Sequence, residues 1–137
     1  MAQLSEEDPV SQITQTVVHN LEDQHDWTSV ETHRRAGQRP LIKGLPPRRL
    51  YIHPDDQIAA LEHEHSTGVL LHQEPEFEWV LAVHPAEKWT LSRIASVFDS
   101  VEHAGERAKR IVLGTVHNDS TVVYYLLHEG LVKPRQN

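Results

Sequence analysis

Eleven histidines in a chain of 137 residues raise metal chemistry first. Spacing argues against it. His63-Glu64-His65 places two imidazoles at i and i+2, which leave a helix in different directions and converge only if that segment is extended. No HExxH pair and no cysteine accompanies them, so a zinc site has no ligand framework. Surface histidines beside acids are the plainer reading. Glu74, Glu76 and Glu78 alternate with Phe77 and Trp79, which assigns the carboxylates to the solvent face of a strand rather than to paired-carboxylate catalysis. Gly37 and Gly44 stand alone, so no phosphate-cradling loop exists, and no serine sits in a nucleophile elbow. His, Tyr and Lys suit general acid–base work, yet those types without proven convergence occur in most small domains. No catalytic, metal or cofactor site is assigned.

The charges are more informative. The net charge of −7 opposes autonomous nucleic-acid binding, which needs clustered Lys and Arg. Six basic side chains nevertheless fall between Arg34 and His53 with no acid among them: Arg34, Arg35, Arg39, Lys43, Arg48 and Arg49. Two readings stand side by side. One is a solvated loop whose charge offsets acidic neighbours. The other is a phosphate- or acid-facing patch within a larger assembly, with Arg34, Arg35 and Arg39 as the candidate RNA contacts.

Length and composition describe a single domain with one ordinary core, 38% apolar with three tryptophans. No apolar run is long enough for membrane insertion, and the acidic opening MAQLSEEDP lacks the order of a signal peptide. Nucleus or cytosol is the expected location, and the absence of cysteine fits a reducing compartment.

Residues 1–9 read as a flexible lead into a domain spanning 10–137. Asp8-Pro9 is an N-cap followed by proline at the first helical position, and Val10, Ile13, Val17 and Leu21 then recur at helical spacing to an end near Glu22-Asp23. Residues 27–32 form a strand candidate. Residues 33–47 are mainly loop because Gly and Pro interrupt them, with Leu41-Ile42 as a brief pairing. RLYIH (49–53) reads as a strand and residues 54–65 as a short helix. FEWVLAVH (77–84) is a strand with Phe77, Trp79, Leu81 and Val83 on one face. Thr90 caps a helix carrying Leu91, Ile94, Ala95, Phe98 and Val101. A charged connection leads to strands at 111–116 and 121–127, joined through His117, Asn118, Asp119 and Ser120, with Leu131-Val132 as a terminal strand. The result is a compact α+β domain with a mixed or antiparallel sheet and two main helices. Val122, Val123, Tyr124, Tyr125, Leu126 and Leu127 leave no polar face on their strand, so both faces must be covered. The chain's own helices or a partner could supply that cover.

The segment NDSTVVYYLLHEGLVKPRQN closely resembles the C-terminus of the small structural subunit of eukaryotic tRNA-splicing endonuclease, and RRLYIHPDDQ and WTLSRIASVF are similar to its fungal branch. The resemblance implies a fold similar to the endonuclease catalytic domain but without a working active site. Catalytic members of the family use a Tyr-His-Lys triad. The nearest matches here are His72, ahead of FEWVLAV, and Lys109, ahead of IVLGTV. The tyrosine's glycine-rich surroundings are missing around Tyr51, Tyr124 and Tyr125. The resemblance further implies a nuclear heterotetramer, with the cytosolic face of the mitochondrial outer membrane as the alternative location. Its partners would be catalytic and structural endonuclease subunits, and through them pre-tRNA. Residues 117–120 would dock into the partner while the strand after them pairs across the interface, or forms a homodimer in isolation. Opposed expectations are an active ribonuclease of the same fold and a histidine-rich metal-binding module.

Overall fold

Asp8 starts the first helix as its side chain accepts a hydrogen bond from the Val10 N–H at 3.3 Å, with Pro9 at the position where a missing N–H costs nothing. This helix, α1 (Pro9–His25), outruns its expected end by one half-turn and closes on Asp26 in the left-handed conformation, whose N–H returns to the Leu21 carbonyl. The computed structural model describes residues 8–34, 38–50, 54–68, 74–103 and 105–128. Expectations for residues 1–7, for 51–53 and for the terminal strand at Leu131-Val132 lie outside them.

After α1 come β1 (Thr28–His33), β2 (Leu41–Leu45), α2 (Pro54–Thr67), β3 (Glu78–Val83), α3 (Leu91–Asp99), the two-residue strands β4 (Glu102–His103) and β5 (Glu106–Arg107), then β6 (Arg110–Val116) and β7 (Val122–His128). The main sheet has the order β1-β2-β3-β6-β7. Only β3 and β6 run parallel, as their connection through α3 requires, and the other neighbours are antiparallel. The mixed sheet and the α+β class are as expected.

Helices pack on both faces of the sheet, and this positions everything else. On one face Val17 and Leu21 of α1 pack with Trp27, Ile42, Val80, Ala82 and Val112. On the other, Phe98 and Val101 at the end of α3 pack with Leu41, Trp79, Leu81 and Ile111. The two main helices are therefore α1 and α3. A third, α2, leaves Ile58 and Leu61 exposed.

Several expectations need correction. Residues 41–45 are not a brief pairing in a loop but a strand inside the sheet. Gly44 is tolerated there because Trp27 lies over it: a Cβ would meet the indole Cε3 at 2.9 Å. Arg49 and Leu50 lie outside any strand. Phe77 precedes β3 and stays 42% exposed. Glu78 is not on a solvent face. It is fully buried, because α1 covers the face that its parity gives it. Arg110 compensates its charge, donating to both Glu78 oxygens from Nε at 3.1 Å and from Nη2 at 2.8 Å, and it reaches Glu76 at 2.6 Å. Burial alone would lower the Arg110 pKa. The bonds and charges of Glu78 and then Glu76 more than reverse that, leaving it above the ordinary value.

Candidate functional site

The closing hairpin places the expected interface residues together. Two bonds shape its loop: the Ser120 N–H donates to the His117 carbonyl at 2.9 Å, and the His117 N–H donates to the Thr121 carbonyl at 2.8 Å. Ser120 takes the left-handed conformation, φ 70°, at the bulge where such loops rejoin their strand. Asp119 fixes the exit by accepting from the Thr121 N–H at 3.1 Å, and bonding to Thr121 holds its carboxyl below the ordinary range. Asn118 is tied back to the end of β3, where its Oδ1 lies 2.8 Å from His84 Nε2. His84 Nδ1 accepts from the Ala86 N–H at 3.0 Å, so the neutral ring carries its proton on Nε2 and donates it to Asn118. His117, Asn118, Asp119 and Ser120 are all exposed on this pre-shaped loop.

Beyond the loop, β7 is an edge of the sheet among the described residues. Val122, Tyr124 and Leu126 turn towards α1 and pack on its cluster, whereas Leu127 packs on the α3 side. Tyr124 lies over Gly114, its register partner, where a Cβ would meet the ring at 3.1 Å. Its hydroxyl donates to Asn20 at 2.8 Å, and burial pushes the phenol pKa up. Tyr125 points the other way and is 54% exposed. Thus α1 covers one face of this strand, while the other remains partly open beside Leu113 and Leu127.

The basic segment is not one continuous patch. Arg39 forms a two-pronged ion pair with Glu87, at 2.7 and 2.8 Å, and also donates to the Ala82 carbonyl at 2.9 Å. The Arg39 bond is the main cause of Glu87's lowered pKa. Arg49 donates to the Glu74 carbonyl and lies 3.6 Å from Glu76. Lys43 sits over the Phe77 and Trp79 rings. Arg34 is exposed and donates to the Ser11 hydroxyl at 3.3 Å, and Arg35 lies outside the described residues. The reading in which this charge offsets acidic neighbours therefore describes Arg39 and Arg49. Sequence reasoning missed Glu87 as the partner of Arg39, since nothing local links positions 48 residues apart.

Of the two nearest matches to a catalytic triad, Lys109 is exposed just ahead of β6, while His72 lies outside the described residues, as does Tyr51. Among the described residues no three His, Asp or Glu side chains gather as a metal site, and no helix is long and apolar enough to cross a membrane.

Residues 16–137 match the family described as Sen15 protein. A Neurospora crassa protein described as a probable tRNA-splicing endonuclease subunit, tsp-1, is 47% identical over an alignment covering 100% of this chain and 71% of the relative. The tRNA-splicing endonuclease subunit SEN15 of Eremothecium gossypii is 29% identical over 91% of each chain, and a probable subunit sen15 of Schizosaccharomyces pombe is 32% identical over 45% of this chain and 51% of its own. The family match takes in every strand of the sheet and the whole closing hairpin, and the chain belongs to the Sen15 protein family.

Proposed function

We propose that this chain is a non-catalytic subunit of the tRNA-splicing endonuclease, bracing the catalytic subunit that cuts at the 3′ splice site. Membership of the complex follows from the family and from relatives that carry that description. The bracing role is our reading, and β7 carries it. This edge strand is apolar from Val122 to Leu127, half-exposed on one face and entered by a polar loop shaped by its own hydrogen bonds. An open edge offers N–H and C=O groups to a partner's strand, while the loop supplies a shaped polar contact beside it. Tyr124, one of three tyrosines in the chain, has its hydroxyl committed to Asn20, which suits a core residue rather than a reacting one. Pre-tRNA then meets this subunit only within the assembly. Its location is nuclear, or the cytosolic face of the mitochondrial outer membrane where the whole complex resides there.

Affinity purification from native cells should recover the other endonuclease subunits with this chain. Reconstituted complexes carrying His72→Ala and Lys109→Ala should cleave intron-containing pre-tRNA at the wild-type rate, whereas the purified chain alone should not cleave it. A rate collapse in those variants, or boundary-specific cuts by the lone chain, would establish an active ribonuclease instead.

A further inference from the structure

Between α3 and the sheet lies a pocket of about 90 Å³. Every side chain lining it is aliphatic or aromatic, and no polar atom faces it. Packed interiors hold few voids larger than a water molecule. A water would find room here but no polar partner to hold it, so the pocket stays dry. Its walls show which way it opens. Leu81 and Val83 on β3, Ile111 on β6 and Phe98 on α3 are buried and close its floor. Ile94, Leu113 and Leu127 are only part-buried, so the opening lies between α3 and the β6–β7 side of the sheet. Two large apolar side chains stay bare beyond these residues. Leu91 shares the helix stripe of Ile94 and Phe98 yet is 47% exposed, and Tyr125, the register partner of Leu113, is 54% exposed. The pocket is thus continuous with the open face of the edge strand.

We propose, on the reading of β7 as the pairing edge, that this pocket receives one branched aliphatic side chain from the strand that pairs there. A strand added to β7 sends alternate side chains to the α3 face, their Cβ atoms about 4.5–5.5 Å from those directly opposite. A side chain opposite or diagonal to Leu127 therefore reaches the opening. Size selects within the apolar class. An engineered cavity of about 150 Å³ takes benzene, and this one is smaller, so a leucine-sized group fits it better than a ring. When two copies pair, a two-fold axis perpendicular to the sheet keeps like faces together, and the copy offers Val123 and Leu127 on this one. Such a knob sits away from water within the contact, where a few side chains carry most of the energy.

Two plugged variants of the full chain, Ile94→Phe and Leu113→Phe, each add a ring at the opening. At least one should match or exceed wild type in urea unfolding, since the added carbon fills a void. Its dimer should nevertheless be about tenfold weaker in sedimentation, and it should recover less of the other endonuclease subunits. Xenon, which enters dry apolar cavities, reads the pocket without a plug. The methyl NMR signals of Ile94, Leu113 and Leu127 should shift saturably with xenon in the Tyr125→Asp monomer and stay unmoved in the wild-type dimer. Equal xenon shifts in monomer and dimer, or a plugged variant that folds and assembles like wild type, would overturn the proposal while leaving β7 as the pairing edge. Exclusion of xenon from the monomer would overturn it too, assigning the pocket to the chain's own residues 129–137. A wild type that neither dimerises nor recovers other subunits would remove both readings together.

Discussion

At the scale of single residues, two acid–arginine pairs join distant parts of the chain, and each has a measurable consequence. Glu78 is fully buried and Arg110 is its main counter-charge. Arg110→Met should therefore destabilise the domain by about 3–5 kcal/mol in urea unfolding, the typical effect of stranding a buried charge. The double variant Glu78→Met, Arg110→Met should lose clearly less than the single one, since it removes the stranded charge as well. A double loss equal to or above the single loss would mean that the pair does not compensate itself. Glu87 provides a pH signature. Its folded pKa is lowered, chiefly by Arg39, so its contribution is complete above the unfolded value of about 4.3 and is lost as pH falls through the lower folded value. The stability gap between wild type and Glu87→Gln should thus be full at neutral pH and close under acid. A gap that widened on acidification would contradict this sign. The sequence could not reveal either pair. Alternation at residues 74–79 correctly predicts which residues share a face, but it cannot say that α1 covers the face holding Glu78.

At the scale of elements, the hairpin between β6 and β7 invites a test of its backbone. Ser120 holds a left-handed conformation that a side chain disfavours and glycine accepts freely. Ser120→Gly should stabilise the domain by about 0.5–1 kcal/mol, read as a raised denaturation midpoint at unchanged slope. A loss of stability would show that the serine side chain serves the loop. This hairpin, both packing helices and β3 were legible because each carries a local signal. Asp8-Pro9 and Thr90 begin their helices, and HNDS sits between two apolar runs. The strand β2 was misread because Gly44 and Pro46 are breakers in isolation. Only the tertiary fold explains the first, through Trp27 over Gly44. The ribbon β4–β5 was missed for a simpler reason: two-residue strands have no period to detect. Of the candidate site, the opposed directions of Tyr124 and Tyr125 followed from strand geometry alone. The tether of Asn118 to His84 joins positions 34 residues apart and left no mark in the sequence.

At the scale of the whole molecule, the two edges of the sheet differ, and the difference predicts how the chain assembles. The edge β1 is blunted: its register shifts between Thr28 and Glu31, Ser29 has φ 53°, and it carries Glu31 and His33. A bulge and charges are standard means of preventing an edge from pairing. Among the described residues β7 carries no acid, lysine or arginine, only His128 at its end, and its register against β6 is unbroken. Association should therefore proceed through β7, with a catalytic subunit in the complex and with a second copy in isolation. Two copies related by a two-fold axis can each offer the same strand, and burial of about 800 Å² per partner would make a contact of standard size. Sedimentation of the purified chain should show a monomer–dimer equilibrium. Tyr125 projects from the open face, so Tyr125→Asp should give a folded monomer that no longer recovers its partner subunits. Tyr124 packs over Gly114 and bonds Asn20, so Tyr124→Asp puts a charge into the core and should unfold the domain, as circular dichroism would report. A monomeric wild type, or a Tyr125→Asp variant that still dimerises and still recovers its partners, would remove β7 from the interface.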